Sequence, residues 1–167
     1  RRIRFGPRSS RAGIRCGNGG GLAVHAPIIP GVPARLSRPV LSAGMKPGQH
    51  APEFTLADQD GTARTLSELV APGPLVLFFY PAASSLVCTA EACHFRDLAA
   101  EFEAAGATRA GVSTNAVDEQ ASFASAEAFD YPLLSDPDGS VARQFGVKRG
   151  LLGKIAPVKR TTFVIDT

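Results

Sequence analysis

Cysteine is scarce in this chain, with three in 167 residues: Cys16, Cys88 and Cys93. A small secreted fold held by disulfides carries more, behind an apolar signal, so a disulfide framework is excluded. Long apolar runs are missing as well. None approaches the ~20 residues that span a bilayer, so no integral membrane segment is expected. Acid is absent from the start of the chain: residues 1–45 hold eight arginines and no Asp or Glu, and the first carboxylate is Glu53. From Met45 onward ten Lys and Arg face fifteen Asp and Glu, a net −5, so the sequence pI of 9.0 belongs to the leader. The remainder is mildly acidic and gives no footprint for nucleic acid.

The leader, residues 1–44, is rich in Arg, Gly, Ser, Pro and Ala, with Gly-Asn-Gly-Gly-Gly at 17–21 and no helical or strand periodicity. That is the composition of an organelle transit peptide, and it lacks the apolar core of a secretory signal. A basic disordered tail is the plainer reading of the same residues. At the other end, Thr162-Phe163-Val164-Ile165-Asp166 reads as a buried strand, and the chain stops at Thr167. A strand ending in Asp usually turns into a hairpin partner. The expectation is a fragment, incomplete at both ends, with one domain over 45–167.

Within that domain, Phe54-Thr55-Leu56 and Thr62–Leu66 flank Asp58-Gln59-Asp60-Gly61 as a short hairpin, and Ser67 begins a short helix. Leu75–Tyr80 is continuously apolar, as in a central strand buried on both faces. A helix is expected from about Val87 to Ala105, closed by Gly106, then a strand over Thr108–Ser113 and a helix over Asp118–Phe129. Val141–Phe145 reads as a short helix, and 146–157 as a Gly-rich loop before the last strand. Alternating strands and helices imply an α/β domain with right-handed crossovers around a largely parallel sheet.

Two thiols mark the junction after the apolar strand. Cys88 falls in or near the first turn of its helix, where unpaired amides and the dipole favour an anion and lower a thiol pKa. Pro81 ends the strand by withholding a donor, and Ser85 can bring a hydroxyl near the sulfur. Ser and Thr beside a helix start are also ordinary caps, so a reactive Cys88 and a buried structural thiol stay open on local grounds. Cys93 follows five residues later. That spacing in a helix separates Cα atoms by roughly 8–9 Å, beyond the ~7 Å reach of a disulfide. Bridging the two requires the first helical turn to unwind. A metal reading has only Cys88, Cys93 and His94, without a second pair at ligand spacing, and His94 is expected to face solvent.

The segment Phe78-Phe79-Tyr80-Pro81-x3-Ser85-x2-Cys88-Thr89-x-Glu91-Ala92-Cys93-x-Phe95-Arg96-Asp97 resembles the active-site segment of peroxiredoxins, specifically the Q type, the bacterioferritin comigratory protein group. Gly48-x2-Ala51-Pro52-x-Phe54, Leu133-Leu134-Ser135-Asp136-x2-Gly139 and Arg160-Thr161-Thr162-Phe163-Val164-Ile165-Asp166 extend the resemblance colinearly over about 45–166. It implies a thioredoxin-like fold, a central mixed sheet flanked by helices, here truncated at the C-terminus. It implies thiol-dependent reduction of hydrogen peroxide and organic hydroperoxides by a monomer, without a bound cofactor. Carried over by position, Cys88 is the peroxidatic cysteine and Cys93 the resolving one, their disulfide being reduced by thioredoxin. Arg160 matches the arginine that keeps the thiolate ionised, Pro81 the proline that shields the sulfur, and Ser85 the family's Thr or Ser; Glu91 has a supporting part. The resemblance also points the leader to the plastid, without separating stroma from lumen. Where most Q-type members have Pro-Gly, this chain has Leu86-Val87, bulkier residues expected to narrow access to the sulfur.

Two other classes fit the thiols less well. A disulfide reductase of the thioredoxin type would carry Cys-x2-Cys, and this pair is Cys-x4-Cys. A redox sensor or partner-binding module would oxidise without turning over.

Overall fold

The computed structural model describes residues 3–5, 45–147 and 158–166. Seven strands form one sheet: β1 (Ile3–Phe5), β2 (Thr55–Ala57), β3 (Ala63–Thr65), β4 (Leu75–Phe79), β5 (Thr108–Ser113), β6 (Leu133–Ser135) and β7 (Thr161–Ile165), in the order β1-β7-β4-β5-β6-β2-β3. Only β4–β5 and β5–β6 run parallel; every other pair is antiparallel. The sheet is therefore mixed, a parallel centre with antiparallel borders, as the resemblance implied and not the largely parallel sheet read from element alternation. The fold is thioredoxin-like.

The hairpin β2–β3 forms where expected. The Asp58 carboxylate turns the chain by accepting from the Asp60 and Thr62 amides, each at 2.9 Å, and from Arg64 Nε at 2.8 Å. Thr65 then caps α1 (Leu66–Leu69) in a reciprocal capping box with Glu68.

Two expectations are corrected. The helix expected over 87–105 is two helices, α2 (Leu86–Asp97) and α3 (Ala99–Ala104), because Leu98 turns to φ −90°, ψ 20°. Beyond this break the chain reaches no core: α3 buries no residue. The final strand takes a second partner beside β4 from the leader, expected to show no strand periodicity. Its other edge pairs antiparallel with β1, Ile3 opposite Ile165 and Phe5 opposite Phe163. Part of the leader thus contributes a strand, its Ile-Arg-Phe having the β-branched and aromatic character that a sheet edge takes up. The rest of the leader, with Cys16, and 148–157 of the expected loop lie outside the described residues.

The period-two alternation of β4 feeds a core on each face of the sheet. Leu75, Leu77 and Phe79 join Phe54, Leu66, Leu134, Phe145 and Phe163 on one side. Phe78 and, just past the strand, Tyr80 join Cys88, Ala92, Phe123, Tyr131 and Leu133 on the other. This second core lies under α2 and α4 (Val117–Glu127). Gly111 of β5 makes the space: a Cβ there would come within 2.9 Å of both Phe78 and Leu133. The remaining helix, α5 (Ser140–Gln144), packs Val141 and Ala142 into the first core.

Candidate active site

β4 delivers the chain to the junction through Tyr80, whose amide donates to the Val112 carbonyl at 3.0 Å. Pro81 follows, half-buried, where the ladder stops. Ala83 N–H donates to Asn115 Oδ1 at 2.8 Å, tying the loop to the end of β5. Ser84 takes φ 59°, a left-handed conformation that costs a non-glycine residue on the order of 1 kcal/mol. Ser85 is then the N-cap of α2, but its side chain caps nothing. Its hydroxyl donates to the Ala82 carbonyl at 3.2 Å, and among the described contacts none joins it to a sulfur.

Cys88 is a free thiol with 2% of its surface exposed, packed into the second core. Arg160, 72 residues away in the chain and one residue before β7, donates from Nη2 to Cys88 Sγ at 3.0 Å. Its Nε donates to Glu91 Oε2 at 2.6 Å. One guanidinium thus bridges the thiol and a carboxylate one helical turn further along α2. Burial pushes the Glu91 carboxyl up to about 7, against the pull of Arg160. Under the thiol, the Tyr80 hydroxyl donates to Gln120 Oε1, and Gln120 Nε2 donates to Ser113 Oγ at 2.9 Å and to the Leu134 carbonyl at 3.0 Å. Burial raises the Tyr80 phenol, so it stays protonated as a donor.

Cys93 is buried in the same helix, its Sγ 3.4 Å from Glu127 Oε2. It is disulfide-bonded, though not to Cys88, whose thiol is free. With α2 helical through both positions, a Cys88–Cys93 bond has no geometry available. The structure is that of the unbridged pair.

Of the residues singled out from sequence, Cys88 and Arg160 are brought together and Glu91 joins them. Ser85 and Pro81 shape the junction without a described bond to the sulfur. Leu86 and Val87 stand on the first turn of α2 and are 90% and 64% exposed. His94 is exposed, and among the described residues no cluster of three His, Cys, Asp or Glu is placed to hold a metal ion. Sequence reading missed Tyr131 and Gln120, buried polar residues that contact α2 or the floor beneath it; Tyr131 is one of only two tyrosines, a signal that was available.

A buried thiol held by a guanidinium can act as a nucleophile whose charge is stabilised without water. Comparison with known proteins gives the family of the chain. Residues 47–167 match the model of the AhpC/TSA family. The chain is 64% identical over 123 residues to "Putative peroxiredoxin Rv1608c" of Mycobacterium tuberculosis, covering 74% of this chain and 80% of that protein. It is 38% identical over 125 residues to "Peroxiredoxin Bcp" of Escherichia coli K12, covering 73% and 80%. Against "Peroxiredoxin Q, chloroplastic" of Gentiana triflora the identity is 36% over 138 residues, covering 83% and 62%. Among solved structures, peroxidoxin BcpB from M. tuberculosis superimposes with a TM-score of 0.69 at 64% identity, covering 73% of this chain and 79% of that one.

Proposed function

Because the chain belongs to the AhpC/TSA family, in its peroxiredoxin Q/Bcp group of thiol peroxidases, we propose that it reduces hydrogen peroxide and organic hydroperoxides through Cys88, with Cys93 as resolving residue and thioredoxin as reductant. The observation that carries the reading is the 3.0 Å contact between Arg160 Nη2 and the free, buried Cys88 thiol. The Cys88 thiolate attacks the terminal peroxide oxygen; an S–O bond forms as the O–O bond breaks, and the departing alkoxide or hydroxide takes up a proton. Arg160 donates to the charge as it moves from sulfur to oxygen. The resulting Cys88 sulfenic acid condenses with the Cys93 thiol, which loses its proton, forms the S–S bond and expels water. Two electrons from a dithiol reductant reopen that bond and return both thiols. Cys93 enters this cycle only in its reduced form.

The unit proposed to act is the monomeric domain 45–167, and it needs no bound cofactor. Cys88→Ser is expected to abolish peroxide consumption with thioredoxin present. Cys93→Ser is expected to complete one turnover and leave a trappable sulfenic acid, while peptide mass mapping of the peroxide-treated native protein finds Cys88 joined to Cys93. Full activity in both variants overturns the assignment. Plastid import by residues 1–44 is a separate proposal. Composition and plant relatives 36–37% identical support it, and 64% identity to a mycobacterial protein stands against it. Import of a reporter fused to the leader by isolated chloroplasts decides it.

A further inference from the structure

The two halves of α2 are held in different ways. Its first turn has no side-chain cap, exposes Leu86 and Val87, and follows the strained Ser84. What secures it to the body of the protein is the packing of Cys88 in the second core and the Arg160 bridge to Cys88 and Glu91. The half from Ala92 onward is pinned from outside the helix. The Tyr131 hydroxyl, buried, donates to the Ala92 carbonyl at 2.8 Å, and Arg96 Nη1 donates to the Glu127 carbonyl at 2.5 Å. Phe95 stacks on Phe78 with ring centroids 4.5 Å apart.

Tyr131 is itself a fixed donor. Its ring packs edge-on to Phe78 at 5.9 Å and against Phe129 at 5.3 Å, with the Arg109 guanidinium 5.1 Å over its face. Burial raises its phenol, so the O–H is kept. The carbonyl it holds belongs to the residue immediately before Cys93. In an α-helix that carbonyl also pairs with the amide of residue 96. It is thus the first one that must stay in place if Cys93 is to hold still while the turn carrying Cys88 comes apart.

We propose that Tyr131 is a positioning residue for the resolving step, stopping the unwinding of α2 at Ala92 so that Cys93 stays fixed while Cys88 moves to it. The inference rests on the peroxidase reading above. Oxidation of Cys88 uses only the Arg160 site, so it does not depend on this anchor. Disulfide formation does, because unwinding past Ala92 frees Cys93 and lowers its effective concentration at the sulfenic sulfur.

The test is stopped-flow oxidation of pre-reduced native protein and Tyr131→Phe with hydrogen peroxide, following sulfenic acid formation and Cys88–Cys93 disulfide formation as separate phases. Tyr131→Phe keeps the ring and removes the hydroxyl. The first phase is expected to stay within about twofold, and the second to slow about five- to tenfold, the worth of one buried hydrogen bond. Sulfinic acid at high peroxide then increases, since the sulfenic acid persists. Arg96→Met, which removes the other hydrogen bond holding this half, is expected to show the same split. A second phase that is unchanged or faster, or two phases slowed alike, overturns the proposal. Failure of the native protein itself to form the Cys88–Cys93 bond sinks the peroxidase reading instead, so the two failures are distinct.

Discussion

The two faces of the sheet are built from different materials. The first core, between the sheet and α1 and α5, is aliphatic and phenylalanine throughout, with Phe145 touching the rings of Phe54, Phe79 and Phe163. The second mixes Phe78, Phe123 and Leu133 with two tyrosines, a buried glutamine and a thiol. An apolar core is stabilising wherever it is well packed, and asks nothing of charge. A face that holds a reactive thiol must also bury donors and acceptors, each of which needs a partner to avoid the cost of an unpaired polar group. The difference separates stability from chemistry within one sheet, and mutations can test how complete that separation is.

The largest effect is expected on the first face. Phe145→Ala should cost about 3–5 kcal/mol of stability, from lost transfer energy and an unfilled cavity. Denaturant titration measures it, and the rate of Cys88 oxidation per folded molecule should be unchanged. A large loss of that rate in the folded variant would show that the faces are coupled. On the second face, Arg160→Ala should lower kcat/KM for peroxide by about 10²–10³-fold, the usual worth of a donor aimed at developing charge. Its stability should change much less than that of Phe145→Ala. Steady-state kinetics and the same titration check both halves; a loss below tenfold would remove Arg160 from the site.

How much of this contrast was legible in the sequence follows the range over which each signal acts. The hairpin at Asp58–Gly61, the strand at Leu75–Phe79 and the strand at Thr108–Ser113 were readable because turn chemistry and hydrophobic run length are local. The break at Leu98 was not: Leu98 and Phe102 continue the apolar spacing, and only tertiary packing decides that α3 covers no core. The pairing of β7 with β1 was equally hidden, since it joins residues some 160 positions apart and a three-residue strand carries almost no pattern of its own. In the site, Cys88 and Arg160 were placed by resemblance, not by spacing. The orientation of Leu86 and Val87 depends on the rotation of α2 over the second core, which no dipeptide encodes.

Glu91 sharpens the comparison through pH, because it is the carboxylate that the second face half-buries against Arg160. Its folded value of about 7 lies above the ordinary 4.5. A raised carboxyl contributes stability fully present below about 4.5 and lost as pH rises through about 7, since folding then has to bury the ionised form. Glu91→Gln removes that dependence. The stability of the native protein relative to the variant should therefore fall between pH 5 and pH 8, while Phe145→Ala stays parallel to the native curve. Denaturant midpoints at several pH values read this directly, and curves that run parallel for Glu91→Gln would show that the carboxyl does not titrate there.

The smallest effect is expected at the outer surface of the second face. Leu86 and Val87 are bulky residues just ahead of Cys88, and size alone suggests a barrier over the sulfur. Their exposure argues for a small effect, because side chains 90% and 64% exposed bury little of their surface against the protein. Leu86→Ser with Val87→Ser should change stability by no more than about 0.5 kcal/mol, as surface substitutions do. The second-order rate of Cys88 oxidation by hydrogen peroxide should stay within about twofold of the native value. A tenfold acceleration would mean that the two side chains fold over the thiol in solution, and the site would then have a gate on the face where none is seen.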